Sequence, residues 1–431
     1  MNFPRFFHAE QSFPNRAIAN IEDHIRQELS SSDIVKRVPK GARIAIGVGS
    51  RGIANIARIT KATVTFWKEQ GARPFIIPAM GSHGAATAEG QSDVLAHYGI
   101  HEATMGVPVV SSLDVVPLGK TPEGIETFMD KAAFDSDGVF LLARVKWHTD
   151  FSGTLESGLF KMMAIGLGKF AGAQRYHTFA YRMGLEKMIR SVGASVFATG
   201  KVLGGLAIQE GAFHETAGLT AVSTAQGLAS MVAQEEDILK TVKSWMAKLP
   251  APEIDILIVD EIGKNISGAG MDTKVINRGV QGQYNPWPDT PAIHRIYARA
   301  ISALSYRSAV GLGMADVVHD NLVNNIDWKP TRINSLTAST PAAVRTPIHY
   351  PSDREALEAI APTVGKDNLS EVTYCRIRNT MELVHLEISE NLLPTVYSNV
   401  KTTCAPFALE FDVSGNLPES VGAPHLEEVT H

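Results

Sequence analysis

Short apolar runs alternate with longer amphipathic stretches through most of this chain, and this alternation restricts the fold more than any other feature. Ala42–Val48 and Pro74–Pro78 have the length and the apolar composition of strands. Between them, Ile53–Gln70 carries apolar residues at helical spacing and ends before Gly71, where a helix commonly stops. Strands that alternate with helices form βαβ units, so the sequence predicts an α/β protein with parallel-rich sheets.

A chain of 431 residues is long enough for two domains, and the prolines of Lys248–Glu253 mark a boundary between them. We expect an N-terminal α/β domain at 1–250, a C-terminal α/β domain at 251–395, and a segment or tail at 396–431. The other expected strands are Val107–Val110, Gly138–Val145, Ile254–Val259, Ala309–Met314, Val372–Arg376 and Leu383–Ile388. The other expected helices are one ending near Tyr98, an interrupted one from about Leu155, Thr178–Val192, Thr224–Met246 and Ala292–Leu304.

The composition excludes several classes of partner. Acidic residues outnumber basic ones by 45 to 40, and no basic run is present, so neither nucleic acid nor a membrane surface is expected to bind. Cys375 and Cys404 are too few for a disulfide framework or a thiolate metal cage. The sequence has no signal-like start and no apolar run of about 20 residues. We therefore expect a cytoplasmic protein that acts on a small molecule; its oligomeric state stays open, a homo-oligomer included.

Three loops with unusual polar content follow predicted strands. They are Gly49–Arg51 (GSR), Gly81–Gly84 (GSHG) and Trp147–Ser152 (WHTDFS). In an open α/β sheet, ligands bind beyond the carboxyl ends of the strands. If the three strands are parallel, these loops converge on one crevice, which is therefore the candidate site.

Each of these loops offers one side chain with useful chemistry. The Arg51 guanidinium can hold a carboxylate or a phosphate through two hydrogen bonds, or it is an ordinary surface arginine. His83 and His148 can exchange a proton near neutral pH, because the ordinary pKa of histidine is about 6.5. Alternatively, both are structural or exposed histidines.

Lysines in apolar or glycine-rich surroundings form a second group of candidates. Burial lowers the pKa of a lysine amine and makes it nucleophilic, which would suit Lys161 or Lys169; alternatively, both side chains reach solvent from an amphipathic helix. In the second half, Gly263–Gly270 is a glycine-rich loop after a strand, so Lys264 is a candidate for binding phosphate or carboxylate. The loop lacks the Walker A spacing, and the chain has no HExxH, GxSxG or CxxC motif.

Four segments carry a resemblance to a known family. They are IPAMGSHG, VKWHTDFSGTLESGLFKMMAIGLGK, the histidine after AGAQRY, and VDEIGKNISGAGMD. Together they resemble the nickel-pincer lactate racemase family and its wider relatives, from about Arg43 to about Arg278. The resemblance implies two α/β domains with the active site in the cleft between them. It also implies an isomerase that racemises or epimerises a 2-hydroxy acid.

The same resemblance implies a cofactor, the nickel-pincer nucleotide (nickel pyridinium-3-thioamide-5-thiocarboxylic acid mononucleotide). Lys161 matches the lysine that attaches it covalently, with Lys169 as the fallback, and His177 matches the nickel ligand. Lys264 matches a lysine that approaches the substrate or the cofactor. Imidazole is a suitable ligand for nickel.

Three further matches concern the substrate. His83 and His148 match the histidines that act as acid and base on the substrate hydroxyl while hydride passes between the substrate carbon and the cofactor. Arg51 matches the arginine that binds substrate. The family's DxTR-like turn is replaced here by VGSR, and the segment between His148 and Lys161 is longer than in lactate racemase. The identity of the 2-hydroxy acid therefore stays open.

Two other interpretations remain at this point. The same histidines could serve a zinc- or iron-dependent lyase or hydrolase. The cleft could also belong to a non-catalytic protein that binds a hydroxy acid or a nucleotide. A physical argument favours a cofactor enzyme if hydride transfer is the reaction, because no side chain accepts hydride.

Overall fold

The computed structural model describes residues 3–49, 52–149, 151–366 and 368–418, with the side chains of His177 and Thr337 outside the description. The chain divides into two compact units, each of mixed α/β structure. The central unit is Asn15–Met246, and the terminal unit combines the described parts of Met1–Pro14 and Ala247–His431. The predicted α/β fold with parallel-rich sheets is confirmed.

The helices and strands of the described residues are numbered in chain order. The strands are β1 (Phe6–Gln11), β2 (Arg43–Val48), β3 (Arg73–Pro78), β4 (Val115–Lys120), β5 (Glu126–Asp130), β6 (Gly138–Val145), β7 (Val202–Glu210), β8 (Thr216–Ser223), β9 (Glu253–Ile262), β10 (Ala292–Ile301), β11 (Val317–His319), β12 (Ile348–Tyr350), β13 (Tyr374–Asn379), β14 (Glu382–Ser389) and β15 (Val400–Thr402). The α-helices are α1 (Ile21–Ser31), α2 (Ile56–Glu69), α3 (Ala88–His97), α4 (Glu102–Met105), α5 (Lys131–Phe134), α6 (Gly158–Lys161), α7 (Lys169–Met183), α8 (Leu185–Phe197), α9 (Leu228–Trp245), α10 (Thr273–Ile276), α11 (Asp320–Asn324), α12 (Trp328–Thr337) and α13 (Asp353–Ile360). In the part of the chain that the structure describes, no helix combines the length and the apolar character needed to cross a membrane.

The central unit is built on a five-stranded sheet with the order β3-β2-β6-β7-β8. The first four strands are parallel neighbours, and β8 pairs antiparallel with β7. Strands β2 and β6 are apolar on both sides, so both faces of the sheet need a cover. Ile46 and Phe140 pack in one core cluster with Trp67 of α2. Leu141 and Phe160 belong to the core cluster on the other face.

The terminal unit contains an eight-stranded sheet with the order β12-β11-β10-β9-β13-β14-β1-β15. The strands from β12 to β13 are parallel, whereas β14, β1 and β15 pair antiparallel with their neighbours. β10 corrects the sequence analysis, because a strand occupies Ala292–Ile301 where a helix at Ala292–Leu304 is predicted. A strand paired along both edges inside a covered sheet has apolar residues on both faces, so its sequence can imitate helical spacing.

Two short strand predictions are also wrong. Ala309–Met314 forms turns and a short 3₁₀ segment, because Gly311 has a φ of 103° and its backbone lies too close to Ala269 for any side chain. Val107–Val110 contributes only a single bridge, between Val109 and Ile76.

The ends of the chain differ from the predicted domain limits. β1 pairs with β14, so the first residues belong to the terminal unit rather than to the N-terminal domain. β15 pairs with β1 inside the segment assigned to a tail at 396–431. Residues 419–431 lie outside the described residues.

Buried charges connect the strands of the terminal unit. Arg376 on β13 donates to Asp260 Oδ1 at 2.9 Å and to Glu387 Oε2 at 3.0 Å. Arg299 on β10 donates to the same Asp260 Oδ1 at 2.7 Å and to Asp353 Oδ2 at 2.8 Å. All three carboxylates are at most 6% exposed, so these ion pairs belong to the interior of the unit.

Candidate active site

Three of the sequence-predicted loops leave the same edge of the central sheet. β2 lies between β3 and β6 and runs parallel to both, with Val48 opposite Pro78 on one side and Leu142 on the other. The His83 loop follows β3 and the His148 loop follows β6. Neighbouring strands lie about 4.8 Å apart, so the two flanking strands are about 10 Å apart. Arg51, which follows β2 in sequence, lies outside the described residues.

The His83 loop is a tight turn with an exposed histidine. The His83 N–H donates to Met80 O at 3.2 Å, and the histidine carbonyl accepts from Gln91 Nε2 at 3.2 Å. Gly84 has a φ of 67°, and a Cβ there would lie 2.6 Å from the backbone of Gly90 and Gln91. The glycine therefore lets the loop approach α3 closely while the histidine side chain stays accessible.

A buried carboxylate organises the His148 loop. Glu156 is fully buried and accepts hydrogen bonds from His148 N at 2.5 Å, from Gly153 N at 2.8 Å and from Lys243 Nζ at 2.5 Å. The His148 ring lies 4.7 Å from the Phe151 ring, centre to centre. The sequence analysis gave Glu156 no role, although it lies only a few residues beyond the Trp147–Ser152 loop. Asp150 lies outside the described residues.

Lys161 ends α6 and is half-buried. A π-helical turn, Met162–Gly166, follows it and accounts for the predicted interruption of the helix. The Gly81 N–H of the His83 loop donates to Gly166 O at 3.4 Å, and a Cβ at Gly81 would lie 3.3 Å from Ile165. The segment next to Lys161 therefore packs against the loop that carries His83.

Lys169 has a different environment, in which its amine is held entirely inside the core. Its Nζ donates to Pro78 O at 2.8 Å and to Gln91 Oε1 at 3.1 Å, and it lies 3.1 Å from Asp130 Oδ2. Burial lowers the pKa of the Lys169 amine, and the charge of Asp130 opposes that change. With three partners and no exposed surface, Lys169 is suited to a structural role, and Lys161 is the more accessible of the two lysines.

The remaining predicted residues are placed less fully. His177 lies on α7, with its side chain outside the description. Lys264 belongs to the terminal unit and is exposed in the loop after β9, whose ends are joined by a hydrogen bond from Gly263 N to Gly270 O at 2.9 Å.

The loop after β7 carries two residues that sequence reasoning missed. β7 is the parallel neighbour of β6, so Phe213 and His214 leave the sheet at the same edge as His148. Phe213 is 46% exposed, and His214 has a left-handed backbone with a φ of 59°. Glu215 holds this turn by accepting from Phe213 N at 3.0 Å. The sequence analysis does not predict the strand β7 that precedes this loop, because the adjacent glycines Gly204 and Gly205 make β7 resemble a loop.

A second buried carboxylate, that of Glu235, holds the start of α6. Glu235 of α9 is 2% exposed, and its carboxyl accepts from Phe160 N at 2.9 Å. Burial raises the pKa of Glu235 to about 8, although hydrogen bonds from the backbone of Phe160 and Leu159 work in the opposite direction. A Cβ at Gly158 would lie 2.2 Å from Glu235 Oε2, so the glycine makes room for the carboxyl.

Glu235→Gln is expected to remove a pH-dependent instability of the central unit. The folded state raises the pKa of Glu235 from 4.5 to about 8, so stability decreases as the pH rises through this interval. Glutamine keeps the carbonyl acceptor without the charge. The variant should therefore melt several degrees above the wild type at pH 9, with a smaller difference at pH 5, in thermal unfolding experiments.

Glu236→Gln is the matched control for this measurement. Hydrogen bonding to Arg190 lowers the pKa of Glu236, so its neutralisation should bring no gain at pH 9. A gain for Glu235→Gln that is the same at both pH values would contradict the assigned titration.

Comparisons with known proteins give a likeness of fold. No protein-family profile and no curated protein matches the chain. A structural-genomics protein from Thermotoga maritima aligns with a TM-score of 0.50 and 14% identity, over 78% of this chain and 85% of that one. The lactate racemase apoprotein from Thermoanaerobacterium thermosaccharolyticum aligns with a TM-score of 0.45 and 12% identity, over 79% and 93% of the two chains. At 14% identity the first alignment shows a shared fold and no more, and the second adds no argument to it.

Proposed function

We propose that the chain is an isomerase that racemises or epimerises a 2-hydroxy acid. The order of the strands carries the proposal, because the strand that precedes Arg51 lies between the strands that precede His83 and His148. A carboxylate bound by Arg51 would then have one histidine loop on each side. Inversion at a 2-hydroxy carbon needs such an arrangement, since the two enantiomers present the hydroxyl to opposite sides of the site.

The chain's own residues would bind the substrate and move its hydroxyl proton. Arg51 would hold the carboxylate. One imidazole, of His83 or His148, would take the hydroxyl proton from one enantiomer. The other imidazole would return a proton to the hydroxyl oxygen of the opposite enantiomer. Glu156 would keep the His148 loop in place by accepting hydrogen bonds from His148 N and Gly153 N.

Two residues are of the types that would hold a nickel-pincer nucleotide. Lys161 offers a half-buried amine for covalent attachment, and His177 offers an imidazole for nickel. Gly49 and Gly81 have no side chains where their loops approach the π-helical turn. A Cβ at Gly49 would lie 3.2 Å from Met162, and a Cβ at Gly81 would lie 3.3 Å from Ile165. When bound, this group supplies the hydride acceptor that no side chain provides. Within the described residues no group of three or more His, Cys, Asp or Glu side chains could hold a metal ion.

An isotope experiment tests the proposed reaction. Protein purified from cells that make the nickel-pincer nucleotide is incubated in H₂O with enantiopure 2-hydroxy acids deuterated at C2. We expect loss of optical purity with retention of deuterium at C2, because hydride leaves and returns to the same carbon. Deuterium lost to solvent during inversion would indicate proton abstraction, and no inversion of any acid in the panel would overturn the racemase proposal.

A further inference from the structure

A buried glutamine connects the His83 loop to the core of the central unit. Gln91 lies on α3 and is fully buried. Its Nε2 donates to Gly81 O at 2.9 Å and to His83 O at 3.2 Å, so it spans both sides of Ser82. Its Oε1 accepts from Lys169 Nζ at 3.1 Å. One amide therefore joins the loop to Lys169, which lies 78 positions further along the chain at the start of α7.

The chemistry of the partners permits only one orientation of the Gln91 amide. The Lys169 ammonium can only donate hydrogen bonds, so it must face the amide oxygen. The carbonyls of Gly81 and His83 can only accept, so they must face the amide nitrogen. Because all three hydrogen bonds require the same orientation, the Gln91 amide has one conformation, and it fixes the positions of the two loop carbonyls.

The lysine itself is anchored. Lys169 Nζ also donates to Pro78 O at 2.8 Å, at the end of β3, and lies 3.1 Å from Asp130 Oδ2. Asp130 is 1% exposed, and its Oδ1 accepts from Ala133 N at 2.8 Å. The charge pair therefore lies between fixed backbone groups, which makes Lys169 a rigid support for Gln91.

We propose that Gln91, held by Lys169, is a positioning residue that fixes the backbone at His83 and thereby the place of its imidazole. The proposal rests on the proposed function for the role of His83 in proton transfer. The loop carries an exposed histidine and left-handed residues at Ala85 and Ala86, a backbone conformation that costs energy and needs support from its surroundings. A displacement of about 1 Å at a reacting group can cost about 100-fold in rate, so such a support has a measurable consequence.

Gln91→Met is the principal test, because it removes the amide without leaving a buried charge unpaired. Losing the two bonds to the loop is expected to increase amide hydrogen exchange in residues 79–87 by about tenfold or more, since about 1.4 kcal/mol corresponds to a factor of ten. In cofactor-loaded enzyme, kcat should fall about 10- to 100-fold while KM stays within about threefold.

Gln11→Met is the matched control. Gln11 lies in the terminal unit, is 1% exposed, and also donates to two backbone carbonyls, Lys248 O at 3.2 Å and Leu383 O at 2.7 Å. It should lower thermal stability similarly but leave both the exchange of residues 79–87 and kcat unchanged. If Gln91→Met does not fold, Gln91→Leu replaces it, because that side chain also removes the donors to the loop and adds no buried charge.

The two readouts separate this proposal from the proposed function. Unchanged exchange of residues 79–87 in the Gln91 variants, or an equal change in Gln11→Met, would overturn the positioning role. Faster exchange without any effect on kcat would overturn it as well. A wild-type enzyme that inverts no 2-hydroxy acid would contradict the proposed function, while the exchange experiment would still decide whether Gln91 holds the loop.

Discussion

Replacing Lys161 by alanine is expected to abolish racemisation and to leave the protein folded. Under the proposed function, Lys161 attaches the group that accepts hydride, and no side chain can replace that group. The loss should therefore equal the whole enzymatic acceleration, about 10⁶-fold or more. Lys161 is half-buried rather than buried, so its truncation should change stability only slightly.

Two measurements on cofactor-loaded protein check this result. Intact-mass and peptide analysis should find a covalent mass increment on the wild-type peptide that contains Lys161 and none on the variant. Lys187→Ala, which removes an exposed lysine of α8, is the control and should keep both the increment and the activity. A variant lacking Lys161 that still inverts substrate, or an increment found on Lys169, would contradict the assignment.

The first half of the fold could be predicted from the sequence because its strands and helices differ in the length and the spacing of their apolar residues. Ala42–Val48 and Gly138–Val145 are short and apolar, whereas Ile53–Gln70 has helical spacing. The structure places β2, β6 and α2 at these positions with shifts of a few residues at their ends. Element ends depend on caps and local hydrogen bonds, which a hydrophobic pattern does not report.

The terminal unit was predicted less well because its strands depend on distant partners. β1 is stabilised by β14, nearly 380 residues away in sequence, and no local pattern indicates that pairing. Similarly, Ala292–Ile301 is a strand because it lies between β9 and β11, although its spacing alone indicates a helix.

In the candidate site, too, features marked by local sequence could be predicted and features that depend on distant partners could not. The loops of His83 and His148 could be predicted, because polar residues directly after apolar strands mark a sheet edge. The buried side chains that support these loops and α6, namely Glu156, Gln91 and Glu235, could not, because each has a partner 75 or more positions away in the sequence. A buried polar residue is recognised by its partners, and a sequence does not contain those distances.

Arg376→Met is expected to destabilise the terminal unit by about 3–5 kcal/mol. Arg376 is 2% exposed, and its removal leaves the buried carboxylate of Glu387 with only His8 Nδ1, at 3.7 Å, and that of Asp260 with Arg299 alone. It also removes the donor to Pro418 O, at 2.5 Å, at the end of the described chain. Uncompensated buried charge is what makes the loss large.

Arg378→Met, on the same strand, is the control, because it removes an arginine whose ion pair is exposed rather than buried. Arg378 pairs with Glu382 at 3.3 Å, but both side chains are more than a third exposed, so its loss should cost about 0–1 kcal/mol.

Native-state hydrogen exchange of β13 and β14 is the measurement, because it reports the stability of the terminal unit by itself. Arg376→Met should accelerate exchange by about 10²- to 10⁴-fold, and adding Glu387→Gln should recover part of the loss by removing one orphaned charge. Equal effects of the two arginine variants would mean that the buried network contributes no more than a surface pair.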